Sequence, residues 1–315
     1  MKFLKALLII VLITGIIELA LRLIWGFGTP VLYSASQDYE YIYAPDQDVR
    51  RYGNHILTNS LGMRSPEPQP DDSIRILYLG DSVINGGTLT SQDNLASNLM
   101  AESLSKMSGK KVNVLNISAG SWGPDNAAAF IKKHGTFNAK AMVMVFSSHD
   151  AFDNMDFEPV VDRNIHYPGH NPKSAISEVF LRYLMPHFGN IFGVSEYSSE
   201  KLMINKQRTV FNSGWNDLRE IAEKNSIPLI VVLHAEEAEV ENGKYNRYGL
   251  RILDSLQMHH VTYITDLTAG INKNYYRDFI HLNDAGQKFL SGLITPALFP
   301  AISGNASKLQ NTSPM

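Results

Sequence analysis

From residue 74 onward, short apolar runs alternate with amphipathic helical patterns. The apolar runs that predict strands are "IRILYLG", "VNVLNIS", "KAMVMVF", "PLIVVLHA" and "VTYITDL". The helical patterns lie at about 94–107, 125–134, 209–224, 248–258 and 283–293. Strands that are apolar throughout and alternate with helices are typical of a parallel sheet covered on both faces. The pattern therefore predicts an α/β fold with a mainly parallel five-stranded sheet, in which chemistry gathers at the carboxyl ends of the strands.

One stretch, from about 156 to 199, breaks this alternation. It is rich in aromatic residues, proline and glycine, and it is too long for a simple connection. We expect a lid-like insertion here that contains a short helix near 175–184. The polar stretch 301–315 at the C-terminus is predicted to be disordered.

The N-terminal segment has the features of a membrane helix. Lys2 and Lys5 precede an apolar run that approaches the roughly 20 residues needed to cross a bilayer. Glu18 and Arg22 interrupt it, but they stand four apart, so they can pair on one helical face. Because no A-x-A-like cleavage site follows, we favour an uncleaved signal-anchor over a cleaved signal peptide. The lysines at the start predict a single-pass protein whose remainder is extracytoplasmic, in the periplasm or outside the cell.

We therefore divide the chain into an anchor (1–28), a polar and aromatic lead-in ending in a proline-rich linker (29–72), an α/β domain (73–300) and a tail (301–315).

The formal net charge of −3 over 315 residues, without long like-charged blocks, gives no indication of nucleic-acid binding. The chain has no cysteine, which excludes disulfides, thiolate chemistry and cysteine zinc sites.

A serine follows the first predicted strand, in "LGDSVINGG". Gly80 allows a sharp turn, and Ser82 is then displayed at the carboxyl end of the strand. A serine there could act as a nucleophile, with its own backbone N–H directed at a developing oxyanion. The alternative is a helix N-cap in a tight loop, and the triplet "GDS" alone does not decide between them.

An acid and a histidine stand three residues apart in "RDFIHLNDAGQ", just before the last predicted helix. Asp278 could hold the His281 imidazole in one tautomer and stabilise the cation that it becomes. The alternative is a surface aspartate beside an unrelated histidine. A serine after the first strand and an Asp-x-x-His after the last strand would meet at one edge of the sheet, which favours a joint catalytic site.

With these motifs in these positions, the chain resembles the SGNH hydrolases, also called the GDSL esterase/lipase superfamily, from about residue 74 to 293. The resemblance implies a flavodoxin-like three-layer α/β/α sandwich, in agreement with the alternating pattern. It also implies that Ser82 is the nucleophile, His281 the general base and Asp278 the orienting acid.

The oxyanion hole matches the family less closely. The family adds a glycine after the second strand and an asparagine after the third to the N–H of the serine. Gly120 is the candidate glycine, with Ser121 as the alternative, since either can offer a backbone N–H. The usual "G-x-N-D" becomes "SSHD" here, which puts His149 at the asparagine position. An imidazole donates only if the proper nitrogen carries a proton, which Asp150 could fix.

Four further residues are candidates to line the substrate site: Asp81, Asp150, His234 and Arg64. A capping role for His234 and a surface ion pair for Arg64 are the alternatives. No histidine pair has the spacing of a helical zinc site, and we predict neither a metal nor a cofactor.

The resemblance implies a function as well as a fold. Anchored bacterial envelope-type relatives often act on O-acetyl groups of cell-envelope or exported polysaccharides, so we expect a serine esterase with an acyl-ester substrate. If a sugar hydroxyl replaces water, the same scaffold would be an O-acetyltransferase. The sequence "SSHD" also leaves open a non-catalytic polysaccharide-binding or assembly protein. An α/β-hydrolase lipase is disfavoured because it needs G-x-S-x-G, and Ser82 is followed by Val83 and Ile84.

Overall fold

The computed structural model describes residues 1–68, 73–186 and 209–303. The chain begins with a helix, α1 (Lys2–Trp25), that is long and apolar enough to cross a membrane and has no buried residue. By length and composition alone, such a helix near the N-terminus fits either a membrane anchor or a signal sequence.

Two antiparallel hairpins follow α1. β1 (Tyr33–Ser36) pairs with β2 (Glu40–Tyr43), and β3 (Asp48–Arg51) pairs with β4 (Asn54–Leu57). Tyr41, Ile42 and Met63 lie in the same hydrophobic core as the main sheet. The lead-in segment is therefore packed onto the α/β domain rather than extended from it.

The main sheet has five parallel strands in the described part of the chain. They are β5 (Ile74–Gly80), β6 (Val112–Ser118), β7 (Ala141–Ser147), β8 (Leu229–His234) and β9 (Thr262–Thr265). The spatial order is β6-β5-β7-β8-β9, which is 2-1-3-4-5 within the sheet and is the flavodoxin-like order. All residues of β7 are buried, as expected for the middle strand of a covered sheet.

The helices complete three layers. They are α2 (Ser82–Asn85), α3 (Ala96–Ser108), α4 (Pro124–His134), α5 (Ala175–Val179), α6 (Gly214–Lys224), α7 (Glu237–Asn242), α8 (Arg247–Met258) and α9 (Asp284–Ile302). α3 packs against α9, and α4 packs against α6. The order in which strands are added reverses at β5, with β6 on one side and β7 to β9 on the other, so right-handed crossovers place the two helix pairs on opposite faces of the sheet. The predicted three-layer α/β/α fold is confirmed.

Some predicted boundaries differ from the structure. The predicted helix at 175–184 divides into α5 and a π-helical turn, Phe180–Leu184. The helix α9 continues to Ile302, so the region assigned to the tail begins with helical residues. The rest of the predicted tail, from 304, and the part of the predicted insertion from 187 onward lie outside the described residues.

Candidate active site

The turn after β5 displays Ser82 at the start of α2. A Cβ atom on Gly80 would come 2.5 Å from the backbone oxygen of Val145, so only glycine allows β5 to approach β7 this closely. The Oδ1 atom of Asp81 accepts the backbone N–H of Val83 at 2.8 Å and caps α2. Because Asp81 is the N-cap, the capping alternative for Ser82 is wrong, and the serine hydroxyl is available for another partner.

That partner is His281, which follows β9 in the chain. Its Nε2 atom lies 2.9 Å from Ser82 Oγ, and its Nδ1 atom lies 2.8 Å from Asp278 Oδ2. The structure thus brings together the three residues that the two motifs singled out. A carboxylate behind an imidazole that contacts a serine hydroxyl is the arrangement that activates a serine nucleophile.

Asp278 is held as a carboxylate by its own loop. Its Oδ1 atom accepts the backbone N–H groups of His281 at 2.7 Å and Ile280 at 3.1 Å. Partial burial raises the pKa of Asp278, but these N–H donors and the His281 ring outweigh it and lower the pKa below its usual value. The acid therefore stays charged behind the imidazole at neutral pH.

His234 lies behind this loop and not in the substrate site. It is fully buried, with Nδ1 2.6 Å from Asp266 Oδ2 and Nε2 2.9 Å from the backbone oxygen of Ile280. A carbonyl oxygen can only accept, so Nε2 carries a proton and donates it. Burial lowers the pKa of His234, but the Asp266 carboxylate raises it above its ordinary value. The prediction that His234 lines the substrate site is wrong; its ring supports the loop that carries His281.

Arg64 is also placed differently from the prediction. Its guanidinium is fully buried and donates to the backbone oxygens of Asn85, Gly87 and Thr90, in the loop that follows the serine. Burial lowers the pKa of Arg64 to about 10. The guanidinium contributes to the shape of this loop and not to the substrate surface, so the predicted lining role is wrong.

His149 lies at the carboxyl end of β7, on the wall of the cleft. Its side chain is 43% exposed, and its Nδ1 atom lies 3.3 Å from Glu236 Oε1. Its Nε2 atom lies 3.6 Å from Asp150 Oδ1 and 3.9 Å from Asp81 Oδ2, on the side of the serine. Burial opposes the charge, but the surrounding carboxylates raise the pKa of His149 to about 10. The ring is therefore a cation at neutral pH, with Nδ1 occupied by Glu236 and Nε2 facing the acids beside Ser82.

Asp150 and Glu236 support this ring from two sides. Asp150 is fully buried, and its Oδ2 atom accepts the backbone N–H of Ser147 at 2.7 Å, which fixes the turn that carries His149. Burial raises the pKa of Asp150 well above its ordinary value. The prediction that Asp150 itself lines the substrate site is wrong. Sequence reasoning missed Glu236, whose only signal was its place directly after β8 in "LHAEE".

These residues surround an open cavity of about 550 Å³ at the carboxyl edge of the sheet. Both oxyanion candidates, Gly120 and Ser121, lie on its wall, and so does Asp81. The 156–186 region contributes Tyr167, whose hydroxyl would be 3.0 Å from a Cβ atom on Gly120. The remaining lining residues are Ser82, His149, Asp153, His166, Glu236, Phe279, Ile280 and His281.

One group of side chains in the described residues could hold a metal ion. The ligand atoms of Asp81, His149 and Asp150 all lie within 4.8 Å of one another. Two carboxylates and one imidazole suit a divalent cation. A histidine that binds a metal usually donates its other ring N–H to a carboxylate, and Glu236 is in that position for His149. The sequence motifs predict no metal, and that prediction stands untested beside this geometry.

The fold and the site define a doubly wound α/β protein with a hydrogen-bonded Ser–His–Asp set at the carboxyl edge of its sheet. No family model and no curated protein matches the chain. Among solved structures, it is similar to a lipase/acylhydrolase from Enterococcus faecalis, at 13% identity and a TM-score of 0.42, covering 76% of this chain and 100% of that one.

Two further similar structures have the same degree of likeness. An acetyl xylan esterase is 15% identical with a TM-score of 0.44, covering 71% of this chain and 100% of that one. A lipolytic protein of the G-D-S-L family from Veillonella parvula is 10% identical with a TM-score of 0.39, covering 71% and 97%. Likeness of this degree carries no argument about activity, so a function for this chain rests on the geometry of its own site.

Proposed function

We propose that this chain is a membrane-anchored serine esterase of the SGNH type. One observation carries the proposal: Ser82 Oγ, the His281 ring and the Asp278 carboxylate form a continuous hydrogen-bonded series, with contacts of 2.9 and 2.8 Å. A non-catalytic binding protein would have no need of this series. The order of the three residues in the chain, and their places after the first and last strands of the sheet, match the family that the motifs resemble.

The contacts of this series support the following reaction. Ser82 Oγ attacks the acyl carbon of an ester while His281 Nε2 takes the hydroxyl proton, and Asp278 stabilises the resulting imidazolium. His281 then gives that proton to the leaving alcohol oxygen as the ester bond breaks. Water, deprotonated by the same imidazole, attacks the acyl-serine; His281 then returns that proton to Ser82 Oγ as the acyl–oxygen bond breaks and the carboxylic acid is released. The Asp278 carboxylate remains ionised throughout.

The negative charge of the tetrahedral intermediate needs donors on the other side of the acyl carbon. Family resemblance assigns this role to the backbone N–H groups of Ser82 and Gly120, with Ser121 as the alternative. All three residues line the cavity. His149 takes the position of the family's asparagine. Its Nε2–H is charged at neutral pH and faces the serine side of the cleft, which supports its assignment as the third donor.

The substrate class and the location complete the proposal. Phe279 is 61% exposed at the mouth of the cleft beside His281, where an aromatic ring could stack on the apolar face of a sugar. This supports a sugar as part of the substrate. The O-acetyl group is what the resemblance to anchored envelope-type SGNH hydrolases implies. The helix α1 would hold the domain on the extracytoplasmic face of a membrane, in agreement with the lysines at its start.

The full chain in detergent can be tested with a short-chain nitrophenyl ester and a fluorophosphonate probe. We expect hydrolysis and stoichiometric labelling of Ser82, and the loss of both in Ser82→Ala. His281→Ala should also prevent labelling, whereas His259→Ala, at an exposed histidine outside the cleft, should not. Hydrolysis that survives Ser82→Ala would remove the nucleophile assignment. Analysis of products with an added sugar acceptor separates hydrolysis from acyl transfer to a hydroxyl.

A further inference from the structure

The start of α5 is bound to the apolar N-terminal helix. The carboxylate of Glu18 accepts the backbone N–H of Ala175 at 2.8 Å and that of Ile176 at 3.0 Å. These N–H groups are in the first turn of α5, where no intrahelical partner exists. A residue of α1 therefore caps a helix that is more than 150 residues distant in sequence.

A second connection lies one turn further along α5. Glu178 accepts the backbone N–H of Gly28 at 2.6 Å and pairs with Arg51, and both charged side chains are 2% exposed. Arg51 in turn donates to the backbone oxygen of Gly26 at 2.9 Å. α5 is thus fixed to the last turns of α1 and to the segment directly after it.

These contacts set the depth of α5 relative to a bilayer. The 24 residues of α1 are about 36 Å long, against a hydrocarbon thickness of about 30 Å. Glu18 stands seven residues before Trp25, which is about 10 Å below the end of the helix. If α1 spans the membrane with its excess length of about 6 Å on this side, Glu18 and the start of α5 lie about 4 Å inside the hydrocarbon, next to its boundary with the headgroups. Arg22, 2.7 Å from Glu18, neutralises its charge at this depth.

Several side chains of this segment and of the last turns of α1 are apolar and exposed. Phe180, Leu181 and Leu184, in α5's continuation, are 45–47% exposed, and Leu23 and Ile24 of α1 are 76% and 61% exposed. Leaving such a patch in water is costly, whereas a bilayer interface would accept it. Tyr183, in the same turn, contacts the ring of Phe27 near the end of α1. Tyrosine is enriched at this level of membrane proteins.

We propose that the segment 175–184 is a second membrane contact, which lies in the outer interface with Phe180, Leu181 and Leu184 inserted among the lipids. This inference rests on the membrane anchoring proposed above and not on the esterase chemistry. It also has a connection to the cleft, because Arg182 donates to the backbone oxygen of His166 at 3.4 Å, and His166 lines the catalytic cavity. The membrane contact would therefore steady one wall of the cleft.

The absence of cysteine from the chain makes a direct test simple. Single variants Ile9→Cys, Leu181→Cys and Leu250→Cys place a bimane label in α1, in the proposed contact and on exposed α8, at positions that are 56%, 45% and 52% exposed. The full chain is reconstituted into phosphatidylcholine and phosphatidylglycerol vesicles, with and without lipid spin-labelled near the headgroup end of its acyl chain. We expect about twofold or greater quenching at positions 9 and 181 and almost none at 250.

The outcomes separate the two proposals. Quenching at position 9, with position 181 behaving like 250, would leave the anchor in place and overturn the second contact. Absence of quenching at both 9 and 181 would remove the anchor and this inference together. A blue-shifted label at 181 that depends on protein concentration and resists lipid quenching would show that a second copy covers the face, which also overturns it. Ser82→Ala in the labelled chains should leave all quenching unchanged, whatever the result of the esterase assay.

Discussion

The Nδ1 atom of His149 lies 3.3 Å from a carboxylate oxygen of Glu236, across the gap between the ends of β7 and β8. Burial lowers the pKa of the histidine, but the negative charge of Asp150, followed by this contact and by Asp81, raises it to about 10. A raised pKa means that the cation is present at all lower pH values and is lost as the pH rises through that value. The proposed oxyanion donor should therefore work across the neutral range.

In Glu236→Gln the alkaline loss of kcat should begin at a pH lower by about one unit or more, because the ring loses a nearby opposite charge. The pH dependence of kcat for a nitrophenyl ester with a constant leaving group measures this shift. Glu223→Gln, at an exposed glutamate on α6, is the matched control and should leave the profile unchanged. An unchanged profile in Glu236→Gln would mean that His149 does not act as a cationic donor.

Substitution of His149 itself separates a donor from a base. His149→Asn restores the amide of the family and should keep kcat within about tenfold, whereas His149→Ala should lose about 10²–10³. Steady-state kinetics of the two variants, beside His281→Ala, provide the comparison. If the kcat of His149→Asn falls as far as that of His281→Ala, the assignment of His281 as the base would be wrong.

Asp278→Asn should lower kcat by about 10⁴, because the amide cannot stabilise the imidazolium and favours the wrong tautomer. The effect on KM should be small, since the carboxylate lies behind the ring. Asp254→Asn, at an exposed position on α8, serves as the control. Because the pKa of Asp278 is lowered, its contribution is present above the ordinary value for aspartate and is lost as the pH falls through the depressed one.

His234→Asn should destabilise the fold and lower kcat, although His234 does not contact the substrate. It leaves Asp266 buried without its cation, a loss of about 3–5 kcal/mol, and it frees the Ile280 carbonyl beside His281. Since the pKa of His234 is raised, the stabilisation is complete at acid pH and is lost as the pH rises through the folded value. The difference in Tm between wild type and variant should thus be larger at pH 5 than at pH 9, whereas His259→Asn should show none. A Tm difference that grows toward alkaline pH would contradict the charged assignment.

Treatment with EDTA should leave kcat unchanged, because His149 is charged by a proton in the proposed mechanism. The measurement is the rate of ester hydrolysis before and after chelation and dialysis. Loss of activity that Zn²⁺ or Mn²⁺ restores would instead place an ion among Asp81, His149 and Asp150.

The sheet could be predicted because its strands are buried on both faces, so each one is an apolar run such as "VNVLNIS". The three residues of the proposed catalytic set could also be found, since Ser82 closely follows the apolar run "IRILYLG", and Asp278 and His281 stand three apart just before the last helix. Their roles came from family resemblance and stay proposals, although the structure brings the side chains together. Local pattern was thus sufficient wherever a residue is next to the element that positions it.

The remaining parts of the site depend on contacts between distant segments. Nothing near Arg64 indicates that its guanidinium will be buried against the loop after Ser82. Glu236 lies before α7, a short helix without a clear apolar period, and so its contact with His149 was not foreseen. His234 ends its strand facing inward, where Asp266, directly after β9, neutralises it. In each case a partner far away in sequence decides what the side chain does.

The packing of the lead-in segment limits how far the cleft can move from α1. A flexible linker of the length of residues 29–72 would let the cleft sample a radius of roughly 35 Å around its anchor. Residues 29–68 instead form two hairpins, of which β1–β2 shares the core of the domain, and Tyr41 donates to the backbone oxygen of Gly120 beside the cleft. If α1 is a membrane anchor, as proposed, the cleft stays at one height above the bilayer, and lateral diffusion, rather than tethered search, would bring it to its substrate. Ester groups far from the membrane would be out of reach.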